Sequence, residues 1–454
     1  MKALSHTVRP IDFYRAVWRW HFYAGILVLP FLFILAVTGA IYLFHTEIDN
    51  FIYRDIKTVQ IISKPALSHE AVVQVALAVH PGIALRYVPP SSNLNSVEVD
   101  IKSSNGNVMA VFVDPFRGTV LGAMPNKGGF SGTIRRLHSL AYFGPVANAL
   151  IEVAAGWSIL LVFSGIYLWW PRQKTGSLDG VLRVRGKPRE RMFWRDIHAV
   201  TGIVAGFFIV FLAATGMPWS IVWGDKVNQW ANGSNFGYPA GVRVSVPMSD
   251  EHLNHVAPVT WSLEQAKIPE SHAHTDATPG TTMSPFSLEK AVSIFDGLGM
   301  AKTYGISLPN KPGGVFTGSV YPNDLAQQRV VHLDQFSGRV LLDMGYADYG
   351  PLGKGLEWGI NVHLGQEFGL ANQLVMLVAC FAIILLCVSA VIIWWKRRPN
   401  RTLGIPTLPE NSRSLQIVFG LLFIGGVIFP LVGISMLIML ILDYIFVIRH
   451  GKSN

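Results

Sequence analysis

Four of the fourteen histidines stand in two matched sets. His21 is followed by Gly25 and then by Leu35-Ala36-Val37-Thr38-Gly39. His198 is followed by Gly202 and Leu212-Ala213-Ala214-Thr215-Gly216, with every offset from the histidine the same. His138 precedes Phe143-Gly144, Ser164 and Trp169-Trp170, and His363 precedes Phe368-Gly369, Ser389 and Trp394-Trp395, again at identical offsets. Two imidazoles on facing helices suit b-type haem ligation, since each ring offers iron a nitrogen and the helices supply an apolar slot. Gly25 and Gly202, one turn beyond His21 and His198, would let a flat macrocycle approach the backbone. Arg19, Arg135, Arg136 and Arg195 lie near these histidines in sequence and are candidates to meet haem propionates. Zinc or copper is the alternative, but no acidic or thiol co-ligand repeats with the histidines.

The structural alternative is an amphipathic anchor at a membrane interface, which is the ordinary use of a single such histidine. Four that repeat at matched positions argue against it, because ionisable groups at membrane depth are functional by default. His45, in Phe44-His45-Thr46-Glu47, is a further candidate ligand, although the repeat places Val222 at its counterpart. His252, His255, His272 and His274 crowd into 249–275 and read either as a solvated loop or as an external metal-capture loop. His69, His80 and His332 read as surface or packing residues. Cys380 and Cys387 are the only cysteines, seven apart in an apolar run, so no disulfide framework, CxxC site or haem-attachment motif exists.

The elements that must position these residues are membrane spans. Half of the 454 residues are hydrophobic and only 14% are charged, with a mean hydropathy of +0.37. A soluble domain carries about 25% charged residues, so the composition excludes a large soluble core. Apolar runs at 22–44, 145–170, 199–223 and 370–395 each reach the roughly 20 residues of a bilayer crossing. A fifth, 415–448, is too long for one upright span, and Gly425, Gly426 and Pro430 predict a kinked helix or a helical hairpin.

The net charge of +9 is an orientation signal. Segments 1–19, 172–197 and 396–414 hold 17 of the 37 basic residues, whereas 224–362 has 13 acidic residues against nine basic. The positive-inside rule puts the N-terminus and both basic loops in the cytoplasm and the two long polar segments outside. Topology thus accounts for the charge, and a nucleic-acid partner is excluded.

Those polar segments also match. Asp114-Pro115-Phe116-Arg117-Gly118 parallels Asp334-Gln335-Phe336-Ser337-Gly338, each after an alternating strand pattern (108–113 and 329–333) and a serine-opened helix (68–79 and 287–295). The expected fold is a mainly α-helical integral membrane bundle, internally duplicated into two pseudo-twofold halves, with two small external α+β domains. The expected layout is a first span to 44, an external domain at 45–137, and a second span at 138–171. A basic loop at 172–197, a third span at 198–223 and a second external domain at 224–362 follow. A fourth span at 363–396, a cytoplasmic loop at 397–414 and the C-terminal run at 415–448 complete it.

Together, the His-x3-Gly…Thr-Gly spans, the Asp-x-Phe-x-Gly hairpins and the His…Trp-Trp spans resemble the PepSY-associated transmembrane family over nearly the whole chain. That family includes inner-membrane ferric-siderophore reductases of the FoxB and PiuB type, described as di-haem proteins with periplasmic PepSY domains. The resemblance implies two haem b groups ligated by His21, His198, His138 and His363, a ferric siderophore as substrate, and release of Fe(II). No dinucleotide fingerprint occurs, since 350–355 has the wrong spacing and context. Electrons are therefore expected from quinol or a cytoplasmic reductant. The rival readings are a haem or siderophore transporter, and a non-enzymatic PepSY binding or regulatory protein.

Overall fold

The computed structural model describes residues 10–171, 180–234, 247–271, 286–321, 324–399, 404–406 and 412–445. The chain divides into two compact units, each assembled from separated segments: one from 1–43, 134–227 and 373–454, the other from 44–133 and 228–372.

The first unit is helical. Among the described residues four helices are long and apolar enough to cross a membrane: Phe13–Tyr42, Pro145–Trp169, Arg191–Trp219 and Gly369–Arg397. The first span presents Ala16, Trp20, Ala24 and Val28, one turn apart, to a cluster containing Trp157, Val418, Leu422, Val432 and Met436. Ala36, nearer its far end, packs with Ala205, Ile209, Ile383 and Cys387 of the third and fourth spans. The small side chains bring the helices close, which is how helices associate when lipid is as apolar as the interface.

The C-terminal run forms two helices, Ser412–Ile428 and Pro430–Asp443. Pro430 starts the second helix, where its missing N–H costs nothing, and keeps Phe429 out of the helical region, at φ −119° and ψ 88°. A Cβ at Gly426 would lie 2.8 Å from Gly433 Cα, so the two helices touch backbone to backbone beside the break. Arg19 ties both ends of the run together, with Nη2 donating to Asp443 at 2.7 and 2.9 Å and Nη1 donating to the Pro406 carbonyl. The run therefore enters and returns on one side as a helical hairpin.

The second unit is built on one eight-stranded antiparallel sheet. Its strands are β1 (Ile83–Val88), β2 (Val97–Lys102), β3 (Val108–Asp114), β4 (Thr119–Pro125), β7 (Gly305–Ser307), β8 (Val315–Val320), β9 (Arg329–Asp334) and β10 (Val340–Gly345), while β5 (Met248–His252) and β6 (Lys267–Pro269) pair separately. The order β10-β9-β8-β7-β1-β2-β3-β4 joins what the sequence presents as two small domains into one sheet. The joint is β1 against β7, with Arg86 opposite Ser307 and Tyr87 opposite Ile306. Each half alone would leave a row of unpaired backbone groups at this edge, and the edges satisfy one another.

Helices His69–Val79 and Leu288–Gly297 cover one face over Val72, Ala76, Tyr87, Val99, Phe295 and Ile306. Ser68 and Ser287 cap them, each accepting the N–H three residues on at 3.3 Å. The two helices also cap each other: Glu289 accepts the His69 N–H at 2.9 Å, and Glu70 accepts the Glu289 N–H at 3.0 Å. The matched turns close identically, Asp114 and Asp334 each accepting two turn N–H groups, before Gly118 (φ 66°) and Gly338 (φ 69°).

His332 in β9 is buried, and its Nδ1 lies 2.9 Å from the hydroxyl of Thr317, its partner across β8. Burial holds this imidazole down to about 3. An unfolded histidine takes a proton near 6.5, so the unfolded state binds more protons between 6.5 and 3 and stability falls as pH falls through that window. The expected slope from this residue is about 1.4 kcal/mol per pH unit. Denaturant titrations of the second unit's unfolding at pH 7.5 and 5.0 will show a smaller acid loss in His332→Gln than in the wild type.

Candidate functional site

The three imidazoles His21, His138 and His198 lie in the helical unit, each bonded to a hydroxyl on a different helix. His21 Nδ1 is 2.8 Å from Ser164 Oγ, His138 Nδ1 is 2.9 Å from Thr38 Oγ1, and His198 Nδ1 is 3.2 Å from Ser389 Oγ. Each hydroxyl has one proton, and each gives it to a carbonyl of its own helix. Ser164 donates to Leu161 at 3.1 Å, Thr38 to Ile34 at 2.6 Å and Ser389 to Leu386 at 2.9 Å. A hydroxyl that donates to its helix carbonyl accepts from the ring, and in that arrangement Nδ1 carries the proton and Nε2 keeps a lone pair. The Leu386 carbonyl, 3.2 Å from His198 Nδ1, can only accept and fixes the same tautomer. In this arrangement all three rings leave Nε2 without the proton.

The rings occupy two levels. His21 and His198 lie near one another. His138 sits at Thr38, 17 residues beyond His21 on the first span, which is about 25 Å at 1.5 Å per residue. A Cβ on Gly25 would meet nothing within 4 Å, and one on Gly202 would meet only Leu386 at 3.5 Å, so there is room beside the first level. This open ground and the free Nε2 atoms fit a planar metal chelate. Among the described residues no group of three or more His, Cys, Asp or Glu could hold a metal ion.

The other sequence candidates are placed as follows. His363 ends the helix Pro351–His363 in the sheet-bearing unit, and the fourth span starts after it, at Gly369. His45 starts the helix His45–Ile52 in that same unit, where its carbonyl accepts from Ser131 at 3.3 Å. Arg19 is buried and bound to Asp443 and Pro406. Arg195 pairs with the buried Asp196 at 2.6 Å, and Arg185 shares that carboxylate. Arg135 and Arg136 are exposed in the last turn of the helix ending at His138, with Arg136 over the Tyr142 ring. His252 and His255 stack edge-to-face at 5.9 Å, and His255 meets Glu251, which also pairs with Lys311. His272 and His274 lie outside the described residues.

Two features went unread in the sequence. Ser164, Ser389 and Thr38 stood out as repeated positions but had no role, because their use depends on which helix faces which. Glu152 is a buried carboxylate in the second span that accepts the N–H groups of Val222 at 2.9 Å and Trp223 at 3.2 Å, fixing the break at the end of the third span. A lone acid in the apolar run 145–170 was its signal.

Outside the membrane helices, Glu357 is buried on the His363 helix and accepts both the N–H and the hydroxyl of Ser262, at 2.8 and 2.6 Å. Burial pushes its carboxyl up to about 7 against the pull of those bonds.

A family model described as the PepSY-associated TM region matches residues 18–397. No curated protein matches the chain.

Proposed function

Since the chain belongs to the PepSY-associated transmembrane family, we propose that it is a haem-dependent membrane reductase. In this reading it carries electrons from the cytoplasmic side to ferric siderophore iron outside the inner membrane. The observation that supports it most is the shared tautomer of His21, His138 and His198, each with Nε2 left for a metal. His21 and His198 would hold one haem b, and His138 a second, with His363 the fourth ligand expected from the repeat. Bound haem supplies reversible one-electron chemistry.

The protein's own residues supply the setting. Ser164, Thr38 and Ser389 orient the rings, and Ala36, Ala205, Ile209 and Ile383 keep the space between the levels apolar. Hard oxygen donors hold Fe(III) far more tightly than Fe(II), so one electron delivered to the chelate turns a tight complex into a labile one. The electron is withdrawn from quinol or a soluble cytoplasmic reductant, which is oxidised. The basic segments 1–19, 172–197 and 396–414 set the cytoplasmic side.

The test is spectroscopic. The purified protein is expected to show a haem absorption band that dithionite reduces and a ferric hydroxamate or catecholate chelate reoxidises, with Fe(II) trapped by ferrozine. Absence of haem would overturn the reading. Haem that no ferric chelate reoxidises would remove the reductase assignment and leave the transport or regulatory alternatives.

A further inference from the structure

We propose that the dipeptides Thr38-Gly39, Ser164-Gly165 and Ser389-Ala390 are imidazole seats, positioning residues that fix both the tautomer and the rotation of the ligand rings. The inference rests on the reading of His138, His21 and His198 as ligands and assigns what sets their strength. In two of the seats the hydroxyl residue takes Nδ1 while the next residue is a glycine that faces the neighbouring ring atom. A Cβ on Gly39 would lie 3.4 Å from His138 Cε1, and one on Gly165 would lie 3.4 Å from His21 Cε1. The hydroxyl bond and the nearby backbone together narrow the orientation of the imidazole. The glycine leaves a methyl-sized space beside the ring, which an added Cβ would fill in ordinary van der Waals contact.

The third seat differs. Alanine follows the hydroxyl residue, and His198 Nδ1 is shared between Ser389 Oγ and the Leu386 carbonyl, both at 3.2 Å. His198 therefore keeps an acceptor when Ser389 is lost, and His138 keeps the Leu35 carbonyl when Thr38 is lost, whereas His21 relies on the Ser164 hydroxyl. Each seat lies on another helix from its histidine, so ligand geometry is set by bundle assembly. An Nδ1–H donated to oxygen makes Nε2 more basic and a stronger donor to iron. Loss of the seat should weaken binding and raise the reduction potential, and outer partners of this kind are worth about 10–100-fold in metal affinity.

The experiment compares Ser164→Ala, Thr38→Val and Ser389→Ala with Ser164→Thr and Thr38→Ser in the full-length protein in detergent. It reads haem loss to excess apomyoglobin and the two potentials from a redox titration. Ser164→Ala is expected to speed haem loss by about tenfold or more and to raise one of the two potentials. Thr38→Val and Ser389→Ala should do less, since a backbone carbonyl remains beside each ring, and the two conservative variants should return wild-type values. Wild-type haem loss and potentials in Ser164→Ala would overturn the seats. If the purified protein holds no haem, the ligand reading falls separately, and ¹⁵N-histidine NMR of that preparation reads the seats directly. The seats predict an Nδ1–H resonance that Ser164→Ala removes, and a spectrum unchanged by it would refute them.

Discussion

His21→Ala protein, purified beside the wild type, is expected to retain about half the haem, because an axial imidazole is the protein's direct hold on the iron. Pyridine haemochrome assay gives the stoichiometry, and His138→Ala should remove the other half. His21 and His198 share one level of the bundle, so His198→Ala should lose the same spectral component as His21→Ala, and the double variant no more than either. Delivery of electrons to a ferric chelate should fail in all three, since a carrier missing at one level interrupts a path of about 25 Å. His45→Ala should keep wild-type haem, since the repeat places Val222 at its counterpart. Full haem in His21→Ala would remove the inner ligand pair.

The second large effect concerns the C-terminal hairpin. Arg19 and Asp443 are both well buried and joined by two hydrogen bonds, with the Tyr23 hydroxyl also on Asp443. Arg19→Met leaves a buried carboxylate without its cation, and breaking one partner of such a pair costs about 3–5 kcal/mol. Thermal unfolding in detergent should shift down sharply, with proteolytic release of the segment after 404. The double variant Arg19→Met/Asp443→Leu should recover most of the loss, because two apolar side chains of similar volume replace a buried ion pair at little cost. A double variant as unstable as the single one would show that the guanidinium acts through Pro406 instead.

Much of the scaffold was legible because it is written in local patterns. Four apolar runs located the four long helices, the second and fourth to within two residues and the first and third starting nine and eight residues late, and Ser68 and Ser287 marked helix starts through a side-chain bond that spans three residues. The Asp-x-Phe-x-Gly turns were equally plain, since Gly118 and Gly338 must adopt positive φ. The union of the strands into one sheet was not, because β1 and β7 are more than 200 residues apart and either could have paired elsewhere. Nor could the charge pattern foresee that Arg19 is held by Asp443, a residue 424 positions away.

The sequence by itself determined the histidine repeat, the spans, their charge asymmetry and the family, all set by spacing and residue type along the chain. Only the tertiary structure decided which ring nitrogen remains open for a metal. A tautomer depends on the acceptor opposite Nδ1, and that depends on the rotation and depth of a neighbouring helix. Ser164, Thr38 and Ser389 became partners of His21, His138 and His198 through packing, and packing turned four suggestive histidines into three rings aimed through the same atom.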